Sequence, residues 1–271
     1  MAIGDLHVGY PENRLLVEGL WSTTDQDWLI VAGDIGELVA DIERAVRLLS
    51  ERFAEVVWIP GNHEPWTPPD DPVQLRGEER YRHLVSLCRA AGVVTPEDPY
   101  PVWHGPGGPV LVAPLFLPYD YTFRTGTARN KEESPARAYR SGVVCSDEFL
   151  LHPDPYPSRE AWCRERVAAT ERRLLAVDPE LSTVLVNHFP LVREPTRILR
   201  HPEFAQWCGT ARTADWHLRF RSRTVVHGHL HIPRTSWYDG VRFEEVSVGF
   251  PPREWRTPGH PRAVPRVVLP G

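Results

Sequence analysis

Five stretches of this chain deliver carboxylate, amide or imidazole side chains beside apolar runs of strand length. They are Asp5 and His7 in GDLHVG, Asp34 in AGD, Asn62 and His63 in GNHE, His188 in VNHFP, and His229 and His231 in HGHLH. Four of the five close an apolar run, at 27–34, 55–64, 183–190 and 224–231. In open α/β sheets the carboxyl ends of strands are where ligands bind. One polar strand end is a coincidence; five in one chain form a site. The densest stretch is VVHGHLHIP, with His227, His229 and His231 inside five residues. A straight strand would put all three on one face. Gly228 loosens that rule, because glycine accepts the backbone angles of a strand leaving its sheet.

The rest of the chain supports an α/β domain. Residues 12–20, 38–53, 77–92 and 158–178 carry apolar residues at helical spacing, with Gly92 as a stop and Ser158 as an N-cap. Residues 109–116 read as a further strand, and 234–239 and 241–248 as a hairpin turning at Asp239-Gly240. Helices alternating with strands predict a mostly parallel sheet with an antiparallel addition near the C-terminal end. The exception is 118–157, rich in Tyr, Pro and Arg and too long for an ordinary connection. The expectation is one domain over 1–271, with 118–157 as an irregular insert on the substrate side.

Composition narrows the class. Hydrophobic residues make up 41% and charged residues 25%, as in ordinary globular proteins. No apolar run is long enough for a transmembrane helix, and MAIGDLH does not begin like a signal peptide. Cys88, Cys145, Cys163 and Cys208 are widely spaced without a CxxC, which fits thiols in a reducing cytosol. A net charge of −5 supplies no global attraction to nucleic acid.

A mixed set of His, Asp and Asn suits two borderline first-row cations about 3.5–4 Å apart. Manganese leads, ahead of iron, zinc, cobalt and nickel. Two cations that close need an anionic bridge, and Asp34 is the natural candidate. A hydroxide shared by both would be available near neutral pH.

The ordered set Asp5-Leu6-His7, Gly33-Asp34, Gly61-Asn62-His63-Glu64, His188 and Gly228-His229-Leu230-His231 resembles the calcineurin-like metallophosphoesterases. The resemblance spans nearly the whole chain. It implies a four-layer α/β/β/α sandwich with two mixed sheets. It implies one metal on Asp5, His7, Asp34 and His231, and a second on Asp34, Asn62, His188 and His229. His63 would be a catalytic non-ligand that protonates the leaving oxygen or stabilises developing charge. His227, Glu64 and Asn187 would be packing or supporting residues. Only Met1–Gly4 precede the first motif, so the first strand is very short or the chain starts late. GDIGEL lacks the Asp-Arg-Gly of the serine/threonine protein phosphatases, which argues against that branch.

Four stretches, lying mostly outside the metal motifs, resemble an actinobacterial group that removes 4′-phosphopantetheine from holo-acyl carrier protein. These are 95–103, 113–124, 142–163 and 228–249. That resemblance implies a phosphodiesterase acting on a carrier protein. Arg124, Arg129, Lys131, Arg137 and Arg140 in the insert, with Arg193, Arg197 and Arg200, form a candidate basic rim for an acidic partner. Thirty arginines also scatter such clusters by chance over a solvated face. A small-molecule or nucleotide phosphoesterase is the alternative, with Tyr119, Tyr121 and Phe123 free to stack a base. A nuclease would want a long basic track, which the sequence lacks. A non-catalytic metal-binding module is the reading from another class.

Overall fold

Side-chain alternation along the buried strands sends neighbouring residues into different cores, and this builds the layers. The computed structural model describes residues 1–124, 133–251, 254 and 265–269. In chain order the elements begin with β1 (Ala2–Ile3), α1 (Pro11–Glu18), β2 (Trp28–Ala32), α2 (Val39–Ser50), β3 (Glu55–Ile59) and α3 (Gly77–Ala90). There follow β4 (Val102–Trp103), β5 (Val110–Pro114), α4 (Glu133–Arg140), α5 (Asp147–Leu150) and α6 (Arg159–Leu175). The remainder is β6 (Ser182–Val186), α7 (Trp216–Arg219), β7 (Ser222–His227), β8 (Arg234–Tyr238) and β9 (Val241–Glu245).

The strands form two sheets, β1-β2-β3 and β4-β5-β6-β7-β9-β8. In the second, β4 and β8 run antiparallel to their neighbours and the other pairings are parallel. The first has three parallel strands, and its antiparallel component is a single bridge from Ala2 to Arg266. On β2, Leu29 and Val31 join a core with Ile42, Val46 and Leu49 of α2 and Leu84 of α3. Ile30 and Ala32 face the other way, into a core with Val112, Val184, Val186 and Val226 of the second sheet. Leu111, Leu185 and Val225 then meet Cys163, Val167 and Leu174 of α6. Three apolar cores separate four layers, the α/β/β/α sandwich expected. Each fully buried Val, Leu or Ile contributes roughly 1.5–3 kcal/mol, so the sandwich interior is the main stabilising term.

Local signals act where the sequence placed them. Ser158 Oγ accepts from the Ala161 N–H at 3.3 Å and caps α6. Asp239 and Gly240 have φ of 52° and 79°, both left-handed, as the β8–β9 turn requires. The first strand is two residues long and pairs Ala2 and Ile3 with Ile30 and Val31.

The insert differs from expectation. It holds α4 and α5, and Tyr119, Tyr121 and Phe123 are 0%, 2% and 2% exposed. Buried rings cannot stack a substrate base, so that use of the three aromatics is excluded. Tyr121 Oη and Trp207 Nε1 both donate to Glu148 Oε1 at 2.8 Å, and Arg159 pairs with Glu148 Oε2 at 2.9 Å. The second half of the insert is therefore latched to the body of the protein. Arg129 and Lys131 of the candidate rim lie outside the described residues. Among the described residues no helix is long and apolar enough to cross a membrane.

Candidate metal centre

Each expected ligand sits just beyond the carboxyl end of a strand, β1, β2 or β3 of the first sheet or β6 or β7 of the second, where the backbone turns out of its sheet. Asp5, His7, Asp34, His229 and His231 have φ of 51°, 40°, 54°, 70° and 53°. They are five of the eight non-glycine residues with positive φ among the described residues. Such conformations cost on the order of 1–3 kcal/mol each and persist only where the surroundings impose them. The glycines of the motifs make room. A Cβ on Gly61 would lie 2.1 Å from Asp34 Oδ1, and one on Gly228 2.1 Å from Asp5 Oδ2.

The turns bring the expected ligands into two groups, Asp5, His7 and His231 in the first and Asp34, His188 and His229 in the second, and a third group of His7, Glu37 and His63 adjoins them; within each, the candidate ligand atoms lie within 4.8 Å of one another. In the first, His7 Nε2 and His231 Nε2 are 3.4 Å apart, and His231 Nε2 is 3.0 Å from Asp5 Oδ1. In the second, His188 Nε2 is 3.2 Å from Asp34 Oδ2. Asn62 Oδ1 joins it, 3.2 Å from His188 Nε2 and 3.1 Å from His229 Nδ1. Nitrogen and oxygen donors of the residue types borderline cations prefer converge in the first two groups, so the residues fit two divalent ions.

The electrostatics agree. Burial works against ionising Asp5 and Asp34, yet the imidazoles around them hold both well below the usual carboxylate range. Against the same burial penalty, Asp34 and Asp5 push His188 up to about 10. Burial, aided by the charge on His188, lowers His229 to about 3. Two buried carboxylates thus favour positive charge in the pocket.

Neighbouring groups orient the set. His188 Nδ1 donates to the Ala32 carbonyl at 2.9 Å, and His231 Nδ1 faces Glu254 Oε2 at 2.8 Å, which leaves each Nε2 directed inward. Asp5 accepts from the His229 N–H at 3.1 Å and from Ser247 Oγ at 2.7 Å. Glu64 accepts from the N–H groups of Asp34, Ile35 and Gly61 at 3.0, 2.7 and 2.7 Å and so clamps the Asp34 turn. Burial and the Asp34 charge push Glu64 up to about 8 despite those three donors. Asn187 bonds the backbone of Leu117 and Phe189. His227 is buried, with Nδ1 3.1 Å from the Gly228 carbonyl, and burial lowers it to about 4.

His63 lies beside the first two groups. Its Nδ1 is 2.8 Å from Glu37 Oε1, its Nε2 is 3.8 Å from Asp34 Oδ2, and its ring stacks on Trp66 at 3.6 Å. A cleft of ≈ 330 Å³ opens over Asp34, Asn62, His63, His229 and His231, with Leu199, Phe204 and Phe250 among its apolar lining. Outside the motifs, His83, His104 and His201 are exposed, His152 meets Arg76, and buried His217 bonds Asp239. His260 lies outside the described residues.

Four contributors had not been anticipated: Glu37, Ser247, Glu254 and Asp147. Glu37 was visible in principle, three residues after Asp34. Asp147 and Ser247 lie in the stretches 142–163 and 228–249 that carried the closer resemblance, but no spacing rule ties them or Glu254 to the metal motifs.

Comparison with known proteins agrees with this geometry. The profile of the calcineurin-like phosphoesterases matches residues 1–233. The chain is 55% identical over 269 residues to the acyl-carrier-protein phosphodiesterase PptH of Mycobacterium tuberculosis, covering 99% of this chain and 82% of that protein. It also matches the crystal structure of phosphopantetheinyl hydrolase (PptH) from the same organism. There the TM-score is 0.96 and the identity 54%, over 100% of this chain and 95% of the other. Profile, fold and relative all place the chain in one family: it belongs to the calcineurin-like phosphoesterases, hydrolases of ester bonds that work with a pair of divalent metal ions.

Proposed function

We propose that this enzyme hydrolyses the phosphodiester linking 4′-phosphopantetheine to the serine of a holo-acyl carrier protein. The observation that carries the proposal is the cleft. Its floor includes Asp34, Asn62, His229 and His231 of the proposed ligands, while its apolar wall suits a diester with an organic arm better than free phosphate. The identity with PptH selects the arm and its carrier.

Asp5, His7, Asp34 and His231 would hold one ion, and Asp34, Asn62, His188 and His229 the other, with manganese first among the candidates. When bound, the two cations supply a strongly nucleophilic water at neutral pH and neutralise charge on the phosphate oxygens. The water oxygen bonds to phosphorus as the bond from phosphorus to the serine oxygen breaks. His63, with Glu37 engaging Nδ1, offers Nε2–H to the departing serine oxygen and so avoids an unprotonated alkoxide. Exposed Arg140, Arg193, Arg197 and Arg200 give a basic rim that complements an acidic carrier protein. The four cysteines are unpaired and buried, which supports action in the cytoplasm.

The test is hydrolysis measured side by side on holo-carrier protein, cyclic nucleotides, phosphomonoesters and single-stranded DNA. Mass spectrometry should show carrier protein losing its arm, at a kcat/KM well above the other three. A preference for cyclic nucleotides or monoesters would overturn the assignment in favour of a small-molecule phosphoesterase. No turnover on any substrate with two ions bound would make the protein a metal-binding module.

A further inference from the structure

Asp147 opens the short helix α5 in the insert, far in sequence from every metal motif, yet it is fully buried against the site. Its Oδ1 accepts two hydrogen bonds, from Asn62 Nδ2 at 2.9 Å and from Trp66 Nε1 at 2.7 Å. Each donor belongs to a different working part. Asn62 turns its other amide atom, Oδ1, toward His188 Nε2 and His229 Nδ1. Trp66 is the ring on which His63 stacks.

An amide is nearly symmetric in shape, and only its partners decide which end faces which way. A flipped Asn62 would direct its oxygen at the Asp147 carboxylate and its NH2 group at the two imidazoles. Acceptor would face acceptor on one side, and the cation would meet hydrogens on the other. We infer that Asp147 is a positioning residue of the metal centre: its Oδ1 holds Asn62 in the one orientation that presents an oxygen to the second cation.

This has a consequence for the insert. The latch of Tyr121, Trp207 and Arg159 on Glu148, the next residue, fixes the backbone of α5. Arg159 also donates to the Asp147 carbonyl. Seating of the insert and readiness of the second cation site are thereby one structural event. The inference rests on the two-cation reading of the centre, and its test separates the two.

The experiment titrates Mn²⁺ calorimetrically into metal-stripped full-length protein, with the thermal midpoint of each variant recorded. Wild type should bind two equivalents. Asp147→Ala should keep the first and bind the second roughly 10–100-fold more weakly, the usual effect of removing a partner that orients a ligand. Asp147→Asn retains an acceptor oxygen for both donors and should stay within a few-fold of wild type. Equal weakening by Asp147→Ala and Asp147→Asn, or none by Asp147→Ala, would overturn the positioning role while leaving the two-cation reading intact. A wild type that binds fewer than two equivalents would overturn both.

A swapped pair decides the matter even if Asp147→Ala does not fold. In a Trp66→Phe background, which removes the indole donor that shares Asp147 Oδ1, Asn62→Asp combined with Asp147→Asn keeps one donor and one acceptor across the same contact. Asn62→Asp alone in that background sets two carboxylates against each other. The pair should bind the second ion at least about tenfold more tightly than the single change. Equal affinities would refute the inference.

Discussion

Arg80 of α3 never touches the cleft, yet replacing it by Met should be among the most damaging single changes in the protein. The guanidinium is fully buried and its donors are distributed over the loops that carry the site. Nε donates to the Glu64 carbonyl at 2.8 Å, Nη1 to the Val73 carbonyl at 2.8 Å, and Nη2 to the Glu37 carbonyl at 2.7 Å. Nη2 also meets Asp71 Oδ2 at 2.7 Å. Removing one partner of a buried ion pair costs about 3–5 kcal/mol, because the other charge is left behind. The Glu64 carbonyl loses its donor as well, adding about 1–3 kcal/mol. The expected loss, roughly 4–8 kcal/mol, is a large share of the 5–15 kcal/mol typical of a domain.

Urea unfolding followed by tryptophan fluorescence measures that loss directly. Combining Arg80→Met with Asp71→Asn leaves no bare charge, so the double variant should be more stable than additivity predicts by about 1–3 kcal/mol. Asp71 adds a pH signature. Burial works against its ionisation, but the Val73 N–H, Arg80 and the Val39 N–H hold its carboxyl below the ordinary value. A lowered folded value means that the contribution is complete above the unfolded pKa, about 3.9, and is lost as pH falls through the lower folded one. Wild type should therefore lose stability in acid more steeply than Asp71→Asn. A cost below about 1 kcal/mol for Arg80→Met, or strict additivity in the double variant, would refute this account of the loop anchor.

Asp34→Ala should release at least one ion and abolish turnover; two retained equivalents with full activity would rule out its bridging role. Gly228→Ala forces a Cβ to within 2.1 Å of Asp5 Oδ2, so elemental analysis should show loss of the ion assigned to Asp5, His7 and His231. His63→Ala should cost roughly 10²–10⁴-fold in rate with metal content unchanged, and less on a nitrophenyl ester whose leaving group needs no proton. Equal losses on good and poor leaving groups would point to electrostatic stabilisation instead. Arg137→Glu with Arg140→Glu should raise KM for holo-carrier protein and flatten its salt dependence, while hydrolysis of a small chromogenic diester barely changes. Equal damage to both substrates would make α4 structural support.

The clustered residues were legible because their chemistry is local. An Asp, Asn or His that follows a strand must be reached by a sharp turn, and the turn leaves glycines such as Gly33, Gly61 and Gly228 beside it in sequence. Asp5, His7, Asp34, Asn62, His63, His188, His229 and His231 could therefore be collected without coordinates, while the four-layer sandwich came only from the family resemblance they carry. Their roles as ligands and acid remain for the metal and kinetic experiments. The insert gave the opposite lesson, since Tyr119, Tyr121 and Phe123 read as substrate contacts but lie in the core. Nothing local distinguishes a buried tyrosine from an exposed one; the elements packed over it decide.

Asp147 and Ser247 show the limit most clearly. Their bonds to Asn62 and Asp5 join residues 85 and 242 positions apart, and no spacing rule connects such partners. A short motif can state which atoms must meet a cation. Which distant donors and acceptors aim those atoms depends on where folding brings loops together, and on burial that makes each unpaired polar group costly. The first was written in the chain, and the second existed only once the layers had closed.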